Sequence, residues 1–231
     1  MAHLYIVGTP IGNLGDMSFR AVEILKTVGA VACEDTRRTL KLLTHFGIRV
    51  RLISCRARNE GVAAEKVIAA LNEGQAVAYA SDAGTPGISD PGALLVRLAV
   101  EAGHEAVPIP GPSAFASLVS VAGGRDKAVR FEGFLSPKGG RRRSRLRELL
   151  AGEAAIVLYE SPFRILKLLE DLAEIDEKRY ICIGREMTKV HEEYLRGSVA
   201  EIREILMQKE EQIGEFSVFV SGKKTGSCVN L

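Results

Sequence analysis

The residues best suited to holding a small ligand are concentrated at positions 81–92. This stretch contains three glycines, two prolines and two aspartates, and it follows a short apolar segment at 76–80 that is expected to be a strand. Glycine lets the backbone approach a ligand closely, and proline reduces the entropy that is lost when a loop is ordered. The stretch therefore predicts either a cofactor-binding loop or an ordinary connection in which Pro91 begins the next helix.

A second glycine-rich loop follows the first expected strand, at 8–16. Its glycines stand at positions 8, 12 and 15, which is not the G-x-G-x-x-G spacing of a dinucleotide site, and no Gly-Lys-Ser/Thr follows as in a phosphate-binding loop. A dehydrogenase or a nucleotide hydrolase thus has little support. Polar loops at 34–38 and 110–114 also follow expected strands, so a parallel sheet would bring all four loops to one ligand-binding edge.

The elements that must position these loops alternate between strand and helix. Strands are expected at 4–7, 30–33, 51–54, 76–80 and 106–109. The intervening helices predict right-handed crossovers and a mostly parallel sheet. Three prolines at 108–112 end this pattern and predict a domain junction. We therefore expect a two-domain α/β fold, with cofactor and substrate loops in domain 1–112 and a second domain, 113–231, that completes the cofactor cleft.

Local patterns define several elements more closely. Ser18 is expected to cap the first helix, with Phe19, Val22, Leu25 and Val28 on one buried face. In the second half, strands at 180–184 and 190–195 are separated only by a short loop, which predicts a mixed sheet.

Composition excludes several classes of protein. Hydrophobic residues make up 46% of the 231 residues, and no apolar run approaches the roughly 20 residues of a membrane span. The sequence begins without the basic start and cleavage site of a secretory signal. The four cysteines form no Cys-x-x-Cys pair and the histidines are scattered, so neither a metal site nor a disulfide framework is supported. We expect a soluble cytoplasmic protein.

Positive charge is concentrated in one segment. The net charge is +2, but residues 125–147 contain nine lysines or arginines against two acidic residues. Such a segment is either a solvated surface or a patch that meets an anionic partner.

The loops also carry strings that point to one family. These strings are VGTPIGNL at 7–14, EDTR at 34–37, SDAGTPGISDPG at 81–92 and PGPSA at 110–114, continued by GFL at 133–135, YESP at 159–162 and REMTK at 185–189, with Glu192-Glu193 after it. Together they resemble small-subunit rRNA methyltransferases of the tetrapyrrole methylase superfamily, over about residues 3–222. Relatives of this type often extend beyond the last strand with a small helical region, whereas only 223–231 remain here.

The resemblance implies an S-adenosylmethionine-dependent enzyme that methylates the 2′-hydroxyl of a cytidine ribose in the decoding region of 16S rRNA. The implied partner is 16S rRNA or the small ribosomal subunit, and the superfamily is commonly homodimeric. The residues that inherit cofactor contacts are Pro10, Asp82, Ala83, Gly84, Ile88, Ser113 and Ala114 from the first domain's motifs and Tyr159, Met187 and Thr188 from the second's. Asp82 could bind the cofactor, hold its loop by accepting amide hydrogen bonds, or do both.

The implied reaction also needs a proton acceptor. Methyl transfer from a sulfonium to a hydroxyl is an in-line displacement, so much of the catalysis can come from positioning. A general base for the hydroxyl proton would add roughly 10²- to 10⁴-fold. Among Glu34, Asp35, Glu186 and Lys189, we favour Lys189 and Glu186 because they lie in a polar turn on the inferred cofactor side. The same two residues could instead form a structural ion pair.

An RNA-modifying enzyme would use the basic segment to neutralise phosphates. The expected RNA contacts are Arg37, Lys138, Arg141, Arg142 and Arg143. No RNA-recognition motif and no aromatic platform for base readout is visible in the sequence. Two alternatives remain open: C-methylation of a tetrapyrrole, whose carboxylates could also use arginines, and a non-catalytic RNA-binding factor on the same fold.

Overall fold

The computed structural model describes residues 2–89, 91–124 and 126–223. Asp90 of the glycine-rich loop, Arg125 of the basic segment and Cys228 lie outside these residues. The chain divides into two compact units, Met1–Ser113 and Ala114–Leu231. The sequence analysis placed this boundary one residue earlier. Each unit has its own five-stranded sheet.

The first unit is a parallel α/β sheet, as expected. Its strands are β1 His3–Val7, β2 Ala30–Cys33, β3 Arg51–Ser54, β4 Val77–Ala80 and β5 Glu105–Ile109. They are arranged in the order β3-β2-β4-β1-β5, and every pairing is parallel. The helices are α1 Phe19–Thr27, α2 Thr36–His45, α3 Glu60–Asn72 and α4 Ala93–Glu101. Parallel strands place all of their carboxyl ends, and hence the loops that follow them, at one edge of the sheet.

Helices cover both faces of this sheet. The fully buried strands β2 and β4 carry alanines and a few larger residues whose side chains alternate between two core clusters. Tyr79 packs into the cluster that contains the apolar faces of α3 and α4, and its neighbour Ala78 packs into the cluster that contains α1 and α2. Pro108 is paired with Ile6 in β5, and it is tolerated there because β5 lies at the edge of the sheet.

Helix α1 differs from the expected orientation. Ser18 caps it as predicted, since its hydroxyl accepts a hydrogen bond from the Ala21 N–H at 3.1 Å. The helix buries Ala21 and Leu25, however, and Phe19 is 91% exposed. Ala21 and Leu25 are four residues apart and share a face, and Phe19 lies about 200° around the helix from Ala21. The predicted face was therefore wrong at Phe19.

The second unit contains a mixed sheet, which confirms the prediction. Its strands are β6 Val129–Phe134, β7 Ala155–Glu160, β8 Tyr180–Arg185, β9 Glu193–Ser198 and β10 Phe216–Val220. In the order β6-β7-β10-β8-β9, the β6–β7 pairing is parallel and the other three are antiparallel. The helices are α5 Ala114–Ala122, α6 Gly139–Leu150, α7 Ile165–Asp176 and α8 Val199–Met207. The main core packs α6, α7 and α8 against this sheet, and a second cluster contains α5.

Strand β9 begins three residues later than predicted. The chain between β8 and β9 forms two successive turns, in which the Lys189 N–H donates to the Glu186 carbonyl and the Glu192 N–H donates to the Lys189 carbonyl. Val190 lies in this connection and is 95% exposed. Its β-branched side chain favoured a strand locally, but the turns delay the pairing.

Candidate functional site

Two of the loops at the carboxyl edge of the first sheet are joined by hydrogen bonds. The Thr9 N–H donates to the Gly84 carbonyl at 2.9 Å, and the Gly84 N–H donates to the Thr9 carbonyl at 3.0 Å. The buried Thr9 hydroxyl also donates to the Ser81 carbonyl at 3.2 Å. The loops after β1 and β4 are therefore one structural piece, which we call the joined loops.

The loop after β5 is attached to the same piece. Gly8 and Gly111 are in close contact: a Cβ on Gly111 would lie 2.7 Å from the Gly8 carbonyl oxygen, and a Cβ on Gly8 would lie 2.8 Å from the Gly111 Cα. The Thr85 hydroxyl donates to the Pro112 carbonyl at 3.0 Å. Only glycine permits this backbone approach, which explains the glycines at the ends of two strands 103 residues apart in the chain.

Asp82 connects the joined loops to the chain that follows β2. Its carboxylate accepts a hydrogen bond from the Asp35 N–H at 3.0 Å and lies 3.6 Å from the Arg38 guanidinium. The Asp82 side chain remains 27% exposed. Asp82 thus holds the loops together, which is one of the two roles considered for it. The exposed part of its carboxylate is accessible to a ligand.

Asp35 caps α2, which begins earlier than expected. The segment 34–38 was predicted to be a loop, but Thr36 is already the first residue of the helix. The Asp35 carboxylate accepts a hydrogen bond from the Arg37 N–H at 2.9 Å and pairs with the Arg37 guanidinium at 3.0 Å. These bonds from Arg37 hold the pKa of Asp35 at about 2. The helix can begin directly after Asp35 because the carboxylate of an N-cap aspartate accepts hydrogen bonds from the free amides of the first turn.

The far end of the 81–92 loop is held by Glu60, a residue that the sequence analysis missed. One Glu60 carboxylate oxygen accepts hydrogen bonds from the N–H groups of Gly92, Leu94 and Leu95 at 2.8, 3.1 and 3.2 Å. Gly92 is the N-cap of α4 and has no side chain to do this itself. The sequence did show that no capping side chain stands at the start of α4. It could not show that the missing hydrogen-bond acceptor comes from a residue 32 positions away.

Gly92 also has a packing reason to be glycine. Its φ angle is +123°, and a Cβ there would lie 2.5 Å from the Tyr79 ring. The Tyr79 hydroxyl donates to the Pro91 carbonyl at 2.8 Å, so the ring lies across the end of the loop. Pro91 and Gly92 therefore fix the start of α4 against a buried tyrosine.

A cavity of about 290 Å³ opens beside the joined loops. Its walls are the loop after β1, one face of α2 and the first residues after β4. The lining residues are Thr9, Pro10, Gly12, Leu14, Arg38, Thr39, Lys41, Leu42, Ser81 and Asp82. Pro10 and Asp82, two of the predicted cofactor residues, are among them. Two other predicted cofactor residues, Ala83 and Ile88, are exposed on the 81–92 loop. Gly84 of the same loop is buried and forms the bridge to Thr9.

The turn after β8 in the second unit is conformationally strained. Glu186 and Thr188 have φ angles of +49° and +67°, a region that a β-branched threonine rarely adopts. Met187 is 6% exposed and packs so closely on Gly184 that a Cβ there would lie 2.6 Å from its sulfur. Within the part of the chain that the structure describes, the buried Thr188 hydroxyl has no hydrogen-bond partner. Strain of this kind is concentrated at functional turns.

Glu186 and Lys189 form an ion pair within this turn. The Glu186 carboxylate accepts hydrogen bonds from the Lys189 ammonium at 2.8 Å and from the Glu215 N–H at 2.9 Å. The bond from Lys189 lowers the pKa of Glu186. Burial alone would lower the pKa of Lys189, but its bonds to Glu186 and Glu215 raise it. Both groups are therefore charged at neutral pH, and a general base at either position stays a prediction.

One of the predicted RNA contacts on the basic helix α6 is buried and cannot contact RNA. Arg142 was expected to bind a phosphate, but it is 3% exposed and donates to the buried Asp171 carboxylate at 2.6 Å. Arg143 is 3.5 Å from the other oxygen of Asp171 and remains 37% exposed. Arg142 is corrected to a core residue, because helix periodicity turns it toward α7.

Three other expected RNA contacts are exposed. Lys138 and Arg141 are at the surface and, within the described residues, have no acidic group within 4 Å. Arg37 is also exposed, but Asp35 neutralises much of its charge. Lys138 and Arg141 are thus the members of the predicted set that carry unpaired positive charge.

Aromatic residues of the second unit form a chain of ring contacts that the sequence did not reveal. Phe131 packs against Phe115 at 5.4 Å and against Tyr159 at 4.9 Å, and Tyr159 contacts Phe134 at 5.7 Å between ring centroids. Phe134 is 60% exposed. The rings come from α5, β6 and β7, which only the tertiary structure brings together.

The described residues contain neither a cluster of metal ligands nor a helix that could span a membrane. No group of three or more His, Cys, Asp or Glu among them could hold a metal ion. No helix among them is long and apolar enough to cross a bilayer. Cys33, Cys55 and Cys182 are free and buried, and burial raises the pKa of the Cys55 thiol to about 12. These three thiols are therefore core residues with little nucleophilic character.

Comparison with known proteins identifies the family. The family model of the tetrapyrrole (corrin/porphyrin) methylases matches residues 3–203. The chain belongs to this methylase family. Relatives of this methylase named "Ribosomal RNA small subunit methyltransferase I" match nearly its whole length. The protein of Borrelia garinii subsp. bavariensis is 48% identical over 219 residues, which cover 94% of this chain and 98% of that relative.

Two further relatives carry the same name and differ in length. The protein of Thermotoga maritima is 44% identical, with 97% of this methylase and 100% of the relative covered. The protein of Escherichia coli O157:H7 is also 44% identical, with 96% and 78% covered. Relatives with this name therefore differ in length. The match leaves about a fifth of the Escherichia coli protein uncovered, whereas it covers the whole of the Thermotoga protein.

A solved structure supports the fold assignment. The crystal structure of uroporphyrin-III-C-methyltransferase from Thermus thermophilus matches 96% of this methylase and 94% of its own chain, with a TM-score of 0.66 and 16% identity. At that identity the likeness shows the fold alone.

Proposed function

We propose that this methylase transfers a methyl group from S-adenosylmethionine to the 2′-hydroxyl of a cytidine ribose in the decoding region of 16S rRNA. The observation that carries the proposal is the identity of 44–48% over nearly the whole chain to proteins named for methylation of small-subunit rRNA. We further propose that it acts as a homodimer in the cytoplasm, on 16S rRNA or the small ribosomal subunit.

The joined loops fit the proposed cofactor. Asp82 offers a partly exposed carboxylate to a sulfonium or an amino group, and Ile88 leaves an apolar side chain 39% exposed on the same loop. S-adenosylmethionine would supply an electrophilic methyl group there. The residues that we propose to hold it, on the family resemblance, are Pro10, Asp82, Ala83, Gly84, Ile88, Ser113, Ala114, Tyr159, Met187 and Thr188.

The protein's main catalytic contribution would be to position the reactants. The bridge between Thr9 and Gly84 and the contact between Gly8 and Gly111 fix the backbone through the protein's own contacts. Such preorganisation reduces the entropy that two substrates lose on reaching an in-line geometry. The hydroxyl proton would pass to a base or to solvent. Of the two proposed residues, the Glu186 carboxylate can accept a proton directly, whereas the Lys189 ammonium would first have to lose its own. If their ion pair persists during turnover, they act by holding the turn.

Methyl transfer to defined substrates tests the proposal. The protein is incubated with S-adenosylmethionine labelled in its methyl group and with unmethylated small subunits, naked 16S rRNA or a tetrapyrrole. We expect label in rRNA, recovered at a cytidine 2′-oxygen after nuclease digestion. Label in the tetrapyrrole would identify a C-methyltransferase, and cofactor binding without transfer to any substrate would identify a non-catalytic factor. Either result would overturn the proposal.

A further inference from the structure

The cavity beside the joined loops combines positive charge with an apolar wall. Arg38 and Lys41 lie three residues apart on α2 and Leu42 follows one turn after Arg38, so all three project from one face of the helix. Pro10 and Leu14, on the loop after β1, also line the cavity, and Leu14 is 42% exposed. An anionic ligand with a flat apolar part would satisfy both features.

The charges at the cavity are only partly balanced. Arg38 is 3.6 Å from Asp82, yet its side chain is 70% exposed, which leaves most of its five N–H donors open. Lys41 is exposed and has no acidic group within 4 Å in the described part of the chain. Two cations therefore face one carboxylate, and the cavity favours an anion.

This balance argues for RNA over the methyl donor as the occupant. S-adenosylmethionine carries a sulfonium and an ammonium against one carboxylate, so it is itself a net cation at neutral pH. A nucleotide unit of RNA carries a phosphate, which suits Arg and Lys, and a base, which suits an apolar wall. The cavity volume of about 290 Å³ is close to the lower end of the range for small-ligand sites, roughly 300 Å³, so the ligand it suits is a single unit of this kind.

We propose that this cavity holds one nucleotide of the RNA substrate, with its phosphate on Arg38 and Lys41 and its base against Leu14 and Leu42. The inference rests on the proposed function and deepens it. Asp82 contributes to the same cavity and to the joined loops, so an RNA nucleotide held here would lie beside the methyl donor. Arg38 and Lys41 are then positioning residues for the strand that is methylated.

Matched single substitutions test the phosphate contact. Lys41→Gln removes one exposed charge from the cavity, and Lys26→Gln removes one from the last turn of α1, which ends toward the opposite edge of the same sheet. Binding of unmethylated small subunits is measured between 50 and 200 mM salt. Losing one phosphate contact reduces the slope of log K against log salt by about 0.7–0.9, so the deficit of Lys41→Gln should shrink by about threefold across this range. Lys26→Gln and Lys41→Arg should behave like the wild type.

A second pair of variants tests the base. Leu14→Ser changes the cavity wall, and Leu40→Ser changes an exposed leucine on α2 that is not part of the cavity. We expect Leu14→Ser to raise the KM for subunits without changing the salt slope, and Leu40→Ser to change neither. Calorimetry should show unchanged affinity for S-adenosylmethionine in all of these variants.

The outcomes separate this inference from the function on which it rests. If the wild type methylates rRNA but Lys41→Gln matches Lys26→Gln, the inference is overturned and the function stands. If Lys41→Gln or Leu14→Ser weakens S-adenosylmethionine instead of RNA, the cavity belongs to the cofactor and the inference is wrong. If the wild type binds and methylates no rRNA, both fail together.

Discussion

Replacing Glu60 with alanine should destabilise the first unit and release the end of the 81–92 loop. The Glu60 carboxylate accepts hydrogen bonds from three N–H groups at the start of α4, beginning with Gly92 at 2.8 Å. An ordinary N-cap contributes about 0.5–2 kcal/mol, and a hydrogen bond to a charged group contributes about 1.5–3 kcal/mol. Because Gly92 has no side chain that could replace the carboxylate, we expect Glu60→Ala to lower the free energy of unfolding by about 2–3 kcal/mol.

Two companion variants make this measurement specific. Glu60→Gln keeps an acceptor oxygen but loses the charge that favours the helix N-terminus, so it should cost about 1 kcal/mol. Glu65→Ala removes an exposed glutamate from the same helix and should change stability by less than about 0.5 kcal/mol. Denaturant unfolding of the full chain, compared at the same transition, gives the three values.

Hydrogen exchange locates the effect. In Glu60→Ala the amides of Gly92, Leu94 and Leu95 should exchange faster, while those of the Thr9–Gly84 bridge should be little changed. Because the loop end is loosened, affinity for S-adenosylmethionine should also fall in calorimetry. Equal stability of Glu60→Ala and Glu65→Ala, with unchanged exchange at the three amides, would refute the assignment of Glu60 as the cap of α4.

Four further predictions concern the loops, the basic helix and, twice, the strained turn. Gly111→Ala should lower stability by about 2 kcal/mol or more, because its Cβ would lie 2.7 Å from backbone; calorimetry should show weaker cofactor binding, and wild-type behaviour in both would contradict the close approach. Arg142→Ala should cost about 3–5 kcal/mol by leaving a buried carboxylate unpaired, whereas Arg141→Ala should preserve stability but weaken RNA binding. Equal unfolding midpoints for these two variants would contradict the buried pair. Glu186→Gln and Lys189→Ala are compared in single-turnover methyl transfer. A loss of at least 10²-fold in Glu186→Gln alone supports Glu186 as the general base, an equal loss in both variants supports a role of the ion pair in holding the turn, and an unchanged rate excludes a general base. The lowered pKa of Glu186 implies that its stabilising contribution is present above the ordinary carboxyl pKa and is lost as pH falls through the lowered value, a pH dependence that Glu186→Gln should remove from the unfolding curves.

Local patterns were sufficient for most elements of the fold. The bounds of β2 and β3 agree with those expected from their apolar runs. Ser18 caps α1 as its residue type indicated, because a cap is a contact between residues three positions apart. The pattern was less informative about orientation: Phe19 was assigned to a buried face and Arg142 to a surface, and both assignments were wrong.

The sequence by itself determined the two α/β halves, the loops at one sheet edge and the membership of the methylase family, since these depend on local propensity and on strings of adjacent residues. Only the tertiary structure decided how those loops are held. The Glu60 cap spans 32 residues and the contact of Gly8 with Gly111 spans 103, and no local pattern encodes a partner at such a distance. The cavity of Arg38, Lys41 and Leu14 likewise exists only because β1, β2 and β4 are neighbours in one parallel sheet.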